Sequence, residues 1–72
     1  MTRFSTVSFL SDLGAQSEHV GVVKAVIRET APHVTVIDLA HEIAPFDVRA
    51  GSLALARAVP YLTEGVVIAC VD

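Results

Sequence analysis

Val66-Val67-Ile68-Ala69-Cys70-Val71 is apolar at every position. A strand of this kind has no polar side to turn to water. It needs cover on both faces, the situation of a parallel strand inside an α/β sheet. Val34-Thr35-Val36-Ile37-Asp38-Leu39 is a second such run, β-branched and mostly apolar on both faces, with a carboxylate at its end. Thr6–Leu10 is a third, short and rich in β-formers, and it leads into the turn signal Ser11-Asp12-Leu13-Gly14. Three strands built for burial leave little freedom for the segments between them, which must supply the cover.

Those segments have helical spacing. From Glu18 to Glu29, apolar residues fall at Val20, Val23 and Ile27, with Val22 and Val26 one step round. Ser17 or a residue just before it is placed to cap this helix, with Glu18 near its positive end and Arg28 near its negative end. Ala31-Pro32 stops it. After a loop from Ala40 to Phe46, Asp47 stands at the N-cap position of a second helix. Its apolar face runs through Val48, Leu55 and Val59, with Leu53 and Ala56 beside it, and Pro60 and Gly65 end the connection. The order is β-α-β-α-β, which predicts an α/β fold with a three-layer, mostly parallel sheet, a Rossmann-like half with right-handed crossovers. The chain stops at Asp72, at the end of its most buried strand, so it is expected to be the N-terminal part of a larger domain.

Composition agrees. Apolar residues make up 53% and charged residues 18% of 72, the latter below the usual ~25%. A chain this short buries only about 60% of its unfolded surface, so its apolar excess implies neighbours or further chain. Five Lys+Arg against eight Asp+Glu give a net charge of −3, which excludes a basic nucleic-acid footprint. The lone Cys70 permits no internal disulfide and reads as a small buried strand residue. No apolar run approaches the ~18 residues of a membrane span. Met1-Thr2-Arg3-Phe4-Ser5 lacks the apolar core of a signal peptide. A cytoplasmic protein is expected.

Ligands of open α/β sheets bind beyond the carboxyl ends of the strands, and this sequence places a carboxylate near each such end: Asp12, Asp38 and Asp72. Asp12 is suited either to a ribose diol or to an Asx-turn ahead of Gly14. Asp38 and Glu42 read as loop and cap residues, and His41 as a structural hydrogen-bonding histidine. His33 reads as solvated, and His19, in the first helical turn, as a surface position or a ligand contact. Asp72 must meet solvent, a cation, a backbone amide or a substrate, because an unpaired buried carboxylate is costly. Gly14 and Gly21 do not form G-x-G-x-x-G, and no P-loop, H-E-x-x-H or G-x-S-x-G occurs. No Cys/His pairing supports zinc. Carboxylates without a phosphate cradle favour a nucleoside lacking phosphates.

Ser11-Asp12-Leu13-Gly14, Val20-Gly21-Val22-Val23-Lys24, Val36-Ile37-Asp38-Leu39-Ala40-His41-Glu42-Ile43, Pro45-Phe46-Asp47-Val48 and Val71-Asp72 together resemble the S-adenosyl-L-methionine (SAM) hydroxide adenosyltransferases, relatives of the SAM-dependent fluorinases and chlorinases. Members of that family are several times longer. The resemblance implies that residues 1–72 are the N-terminal portion of a SAM-binding α/β domain, followed by a C-terminal β domain, in a homotrimer holding SAM between subunits. It implies hydrolysis of SAM to adenosine and L-methionine with no cofactor or metal. It assigns Asp12 to the ribose hydroxyls and Phe46 to packing near the substrate. His19 falls near the methionine end, where the family more often carries serine or tyrosine. Asp72 matches the aspartate that holds the attacking water, with an arginine and a histidine further on. Halogenating relatives lack an acidic residue there, and a carboxylate repels halide. The alternatives from the sequence are a halogenase of this kind and a non-catalytic SAM- or nucleoside-binding module.

Overall fold

The computed structural model describes residues 4–72; Met1, Thr2 and Arg3, part of the stretch read for a signal peptide, lie outside the described residues. The elements are β1 (Thr6–Ser11), α1 (Glu18–Thr30), β2 (Thr35–Ala40), α2 (Val48–Ala58), a 3₁₀ turn at Val59–Tyr61, and β3 (Val66–Cys70). The predicted β-α-β-α-β order is present. β1 is the middle strand of a three-stranded sheet in the order β2-β1-β3, and both pairings are parallel. This is the order of flavodoxin-like sheets, and it puts the reversal of strand order between β1 and β3.

The helices close as their residues dictate. Ser17 accepts a hydrogen bond from the His19 backbone N–H at 3.1 Å, and Asp47 from that of Ala50 at 2.9 Å. Both are side-chain N-caps, each contributing about 1 kcal/mol. Arg28 Nη1 donates to the carbonyl of Pro32 at the far end of α1. Pro60 is tolerated because it sits in the 3₁₀ turn, where the missing N–H has no helical partner to lose.

The helices flank opposite faces of the sheet. Successive strand residues alternate sides. Phe9 pairs with Asp38, whose carboxylate meets Lys24 of α1, whereas Leu10 pairs with Ala69 and shares a cavity with Val48 and Leu55 of α2. Phe9 and Leu10 are each only 1% exposed, so β1 is covered on both sides.

The burial expected for all three strands is met by β1 alone. β2 and β3 keep exposed side chains, including Ile37, Val66 and Val67, and Cys70 is exposed where a buried strand residue was expected. The reason is width. A helix is about 10 Å across and strands lie about 4.8 Å apart, so one helix on each face covers roughly two strands. The inward face of α2 also differs from the expected one. Gly51 is buried and Ala54, Leu55 and Ala58 are half-buried, while Val48 and Val59 stay exposed. A Cβ at Gly51 would come within 2.8 Å of Val71 Cγ2, so the absence of a side chain there lets α2 approach the end of β3.

Candidate functional site

The carboxyl ends of β1 and β3 carry the central pair of residues. Ser11 is level with Cys70, and the Asp12 N–H donates to the Cys70 carbonyl at 3.2 Å, which extends the β1–β3 pairing by one step. Asp12 therefore begins its loop at the switch point of the sheet, where open α/β sheets bind ligands. Its Oδ2 accepts two backbone hydrogen bonds from distant segments, the N–H of Phe46 at 3.1 Å and the N–H of Asp72 at 3.3 Å. Three of the sequence-predicted site residues, Asp12, Phe46 and Asp72, are thus tied to one carboxylate. The alternative of a local Asx-turn at Asp12 is not what forms. Ser11 makes the local turn instead, its Oγ accepting from the Leu13 N–H at 3.3 Å. Gly14 follows with φ 92°, a conformation that favours glycine.

Phe46 has an unusual backbone. The Asp47 N–H donates to the Ala44 carbonyl at 3.0 Å, closing a turn with Pro45 in its second position and Phe46 in its third at φ 65°. This is the type II pattern, in which the third position normally belongs to glycine. Phe46 is 73% exposed, so packing within this chain does not account for it. Non-glycine residues at positive φ cluster at functional sites.

His19 stands apart. Its backbone joins the cap of α1, and its exposed side chain has no hydrogen bond to Asp12, Phe46 or Asp72 among the described residues. Asp38 also departs from the expected rim. It lies within β2 rather than in a loop or cap, and both its oxygens are engaged: Oδ2 accepts from Lys24 Nζ at 2.8 Å and Oδ1 faces His41 Nε2 at 2.8 Å. The bond from Lys24, and then that from His41, holds its carboxyl below the usual 3.8. His41 is the structural histidine expected. It is buried, with Nδ1 2.6 Å from Ser11 Oγ and its ring edge-on to Phe9. Glu42 Oε1 accepts from the Ala15 N–H at 2.7 Å, and His33 is exposed as expected.

The sequence reading missed Ser11 and Lys24. The legible signals were a serine closing the first strand just ahead of Asp12 and the three-residue step from Asp38 to His41.

A cavity of about 140 Å³ opens between α2 and the sheet, lined by Leu10, Val48, Gly51, Ser52, Leu55, Ala69 and Val71. It is smaller than the ~300–1,000 Å³ of small-molecule sites, so by itself it is too small for a nucleoside. Among the described residues no group of three His, Cys, Asp or Glu side chains is arranged to hold a metal ion, and no helix is long and apolar enough to cross a membrane.

Residues 7–72 match the family description of the SAM hydroxide adenosyltransferase N-terminal domain. An (R)-S-adenosyl-L-methionine hydrolase from Thermus thermophilus is 54% identical over 67 residues, covering 92% of this chain and 26% of that protein. A fluorinase from an Actinoplanes species is more distant, 32% identical over 63 residues, covering 88% of this chain and 21% of that one. The crystal structure of a conserved hypothetical protein, also from Thermus thermophilus, superposes with a TM-score of 0.78 at 50% identity, covering 88% of this chain and 27% of the other. The chain spans about a quarter of the length of the curated relatives it matches.

Proposed function

We propose the following function for this chain, which belongs to the SAM hydroxide adenosyltransferase family: as the N-terminal portion of the α/β domain of a longer protein, it supplies the nucleoside-holding and water-holding carboxylates for hydrolysis of SAM to adenosine and L-methionine. The observation that carries this reading is the Asp12 carboxylate at the β1/β3 switch point, with the Phe46 and Asp72 amides bonded to it. Asp12 Oδ2 is occupied by these bonds, and the remaining acceptor capacity, chiefly at Oδ1, suits donation from ribose hydroxyls. Phe46 offers an exposed ring for the substrate to pack on, and His19 is a candidate contact for the methionine end.

The chemistry asks little of an acid. The oxygen of water attacks the ribose C5′, the C5′–S bond breaks with its electron pair passing to sulfur, and methionine leaves as a neutral thioether. The attacking water loses one proton, which passes to solvent. What the reaction needs is an aligned nucleophile. The exposed Asp72 carboxylate can accept a hydrogen bond from that water and aim a lone pair at C5′. Its charge repels halide, which favours hydrolysis over the halogenation carried out by the more distant fluorinase relatives. The substrate chemistry requires no metal or further cofactor. We further place the complete protein in the cytoplasm as a homotrimer with SAM between subunits; the apolar side chains left exposed on β3 and α1 are surface that further chain or neighbouring subunits would cover.

The test is incubation of the complete protein with SAM and measurement of adenosine and methionine. Equal amounts of both are expected. No adenosine above background contradicts hydrolysis. Binding of SAM without turnover would identify a non-catalytic module.

A further inference from the structure

Four side chains form a continuous hydrogen-bonded row that the proposed reaction does not use. Lys24 Nζ on α1 meets Asp38 Oδ2 on β2 at 2.8 Å, Asp38 Oδ1 meets His41 Nε2 at 2.8 Å, and His41 Nδ1 meets Ser11 Oγ at 2.6 Å. Serine, histidine and aspartate in this order suggest a nucleophilic triad, but Ser11 is 0% exposed, so its oxygen has no access to a substrate. The row therefore acts on position. The ionised Asp38 can only accept, so His41 Nε2–H donates to it; the Nδ1 of a neutral ring is then bare and accepts from the Ser11 hydroxyl, whose oxygen also accepts from the Leu13 N–H. A neutral His41 protonated at Nε2 satisfies every partner. With Nδ1 protonated, the Ser11 hydroxyl hydrogen would be left in a fully buried position facing another donor.

The end of the row reaches the loop that carries Asp12. Three consecutive amides of that loop are held from the exit of β2: Leu13 N–H by Ser11 Oγ, itself fixed by His41; Gly14 N–H by the His41 carbonyl at 2.7 Å; and Ala15 N–H by Glu42 Oε1 at 2.7 Å. A bulge makes this meeting possible. Phe9 pairs with Asp38 but Leu10 with Ala40, so Leu39 is the extra residue and β2 advances one step. Continued past Leu10, that register brings His41 level with Ser11.

We propose that His41 is the positioning residue of the Asp12 carboxylate, acting through Ser11 and the loop amides, with Asp38 and Lys24 fixing its tautomer and ring orientation. This rests on the reading of Asp12 as the nucleoside-holding group. The experiment is a double-mutant cycle in the complete protein, with adenosine as the titrated probe. His41→Gln and Ser11→Ala are each expected to weaken adenosine binding about tenfold, the order of one displaced hydrogen bond to a charged or buried group. Each is expected to have no further effect in the Asp12→Ala background. His41→Asn, whose Oδ1 can still accept from Ser11, should retain more affinity than His41→Gln and serves where the glutamine variant fails to fold. Equal losses in both backgrounds, or none in either, overturn the proposal. If the parent protein does not bind adenosine, the functional reading fails by itself. The ¹⁵N shifts of the His41 ring then decide the relay: protonated Nε2 with bare Nδ1 at neutral pH upholds it, and the reverse tautomer overturns it.

Discussion

Phe46 holds a left-handed backbone, at a cost of roughly 1–2 kcal/mol for an L-residue, while its ring gains little from burial at 73% exposure. Glycine in that turn position would relieve the strain and forfeit about 0.5–1 kcal/mol of chain entropy. Phe46→Gly is therefore expected to leave stability within about 1 kcal/mol of the parent and to be more stable than Phe46→Ala, which keeps the strain. Both should weaken adenosine binding. Urea midpoints with Phe46→Gly below Phe46→Ala would contradict this. Asp38 gives a pH prediction. Its carboxyl is held below the usual 3.8 in the fold, first by Lys24 and then by His41. The ionised form is thus favoured by folding, and its stabilisation is present above the unfolded value and lost as pH falls through the depressed folded value. Asp38→Asn should be less stable than the parent at neutral pH, with the gap closing in acid; a gap that persists unchanged to low pH would contradict the ion pair. At this scale the sequence was partly legible. Asp12 and Asp72 could be singled out because carboxylates at strand ends are conspicuous. The Ser11–His41 bond could not, since it joins residues 30 apart through a bulge that no local pattern announces.

The elements were more legible than their arrangement. Strand starts and ends agree with the β-branched runs to within a residue, and both caps fall on Ser17 and Asp47, because these depend on local chemistry. The strand order depends on which way each crossover lies, and the inward face of α2 on where Val71 presses against Gly51; neither is local. Two substitutions separate local from packed contributions. Asp47→Ala removes only a cap and should cost about 1 kcal/mol. At Gly65 an added Cβ would fall on the backbone carbonyl oxygen of Thr6, which cannot move without shifting β1. Gly65→Ala should cost about 1–3 kcal/mol, as read by denaturant midpoints of the complete protein. If Asp47→Ala proves the costlier, the close approach of β3 to the start of β1 is wrong.

Taken whole, the molecule has a core too small for its composition. Among the described residues the buried apolar ones are Val7, Phe9, Leu10 and Val20, while Val22, Val26, Tyr61, Val66 and Val67 among others are exposed. The apolar excess seen in the sequence is therefore surface to be covered, in the proposed longer protein, by further chain or by neighbouring subunits. Residues 1–72 alone are expected to melt without a cooperative transition and to bind hydrophobic dyes; a sharp melt of the isolated monomer would contradict this. The family and the parallel sheet could be read from residues, but the cover could not, because what meets an exposed face is not written in that face. The decisive measurement concerns the reaction. The complete protein is incubated with SAM in ¹⁸O-labelled water containing chloride, and the nucleoside product is analysed by mass. Hydrolysis at C5′ steered by Asp72 predicts adenosine carrying ¹⁸O at its 5′ oxygen and no 5′-chlorinated nucleoside; unlabelled adenosine, a halogenated product or unchanged SAM would contradict it.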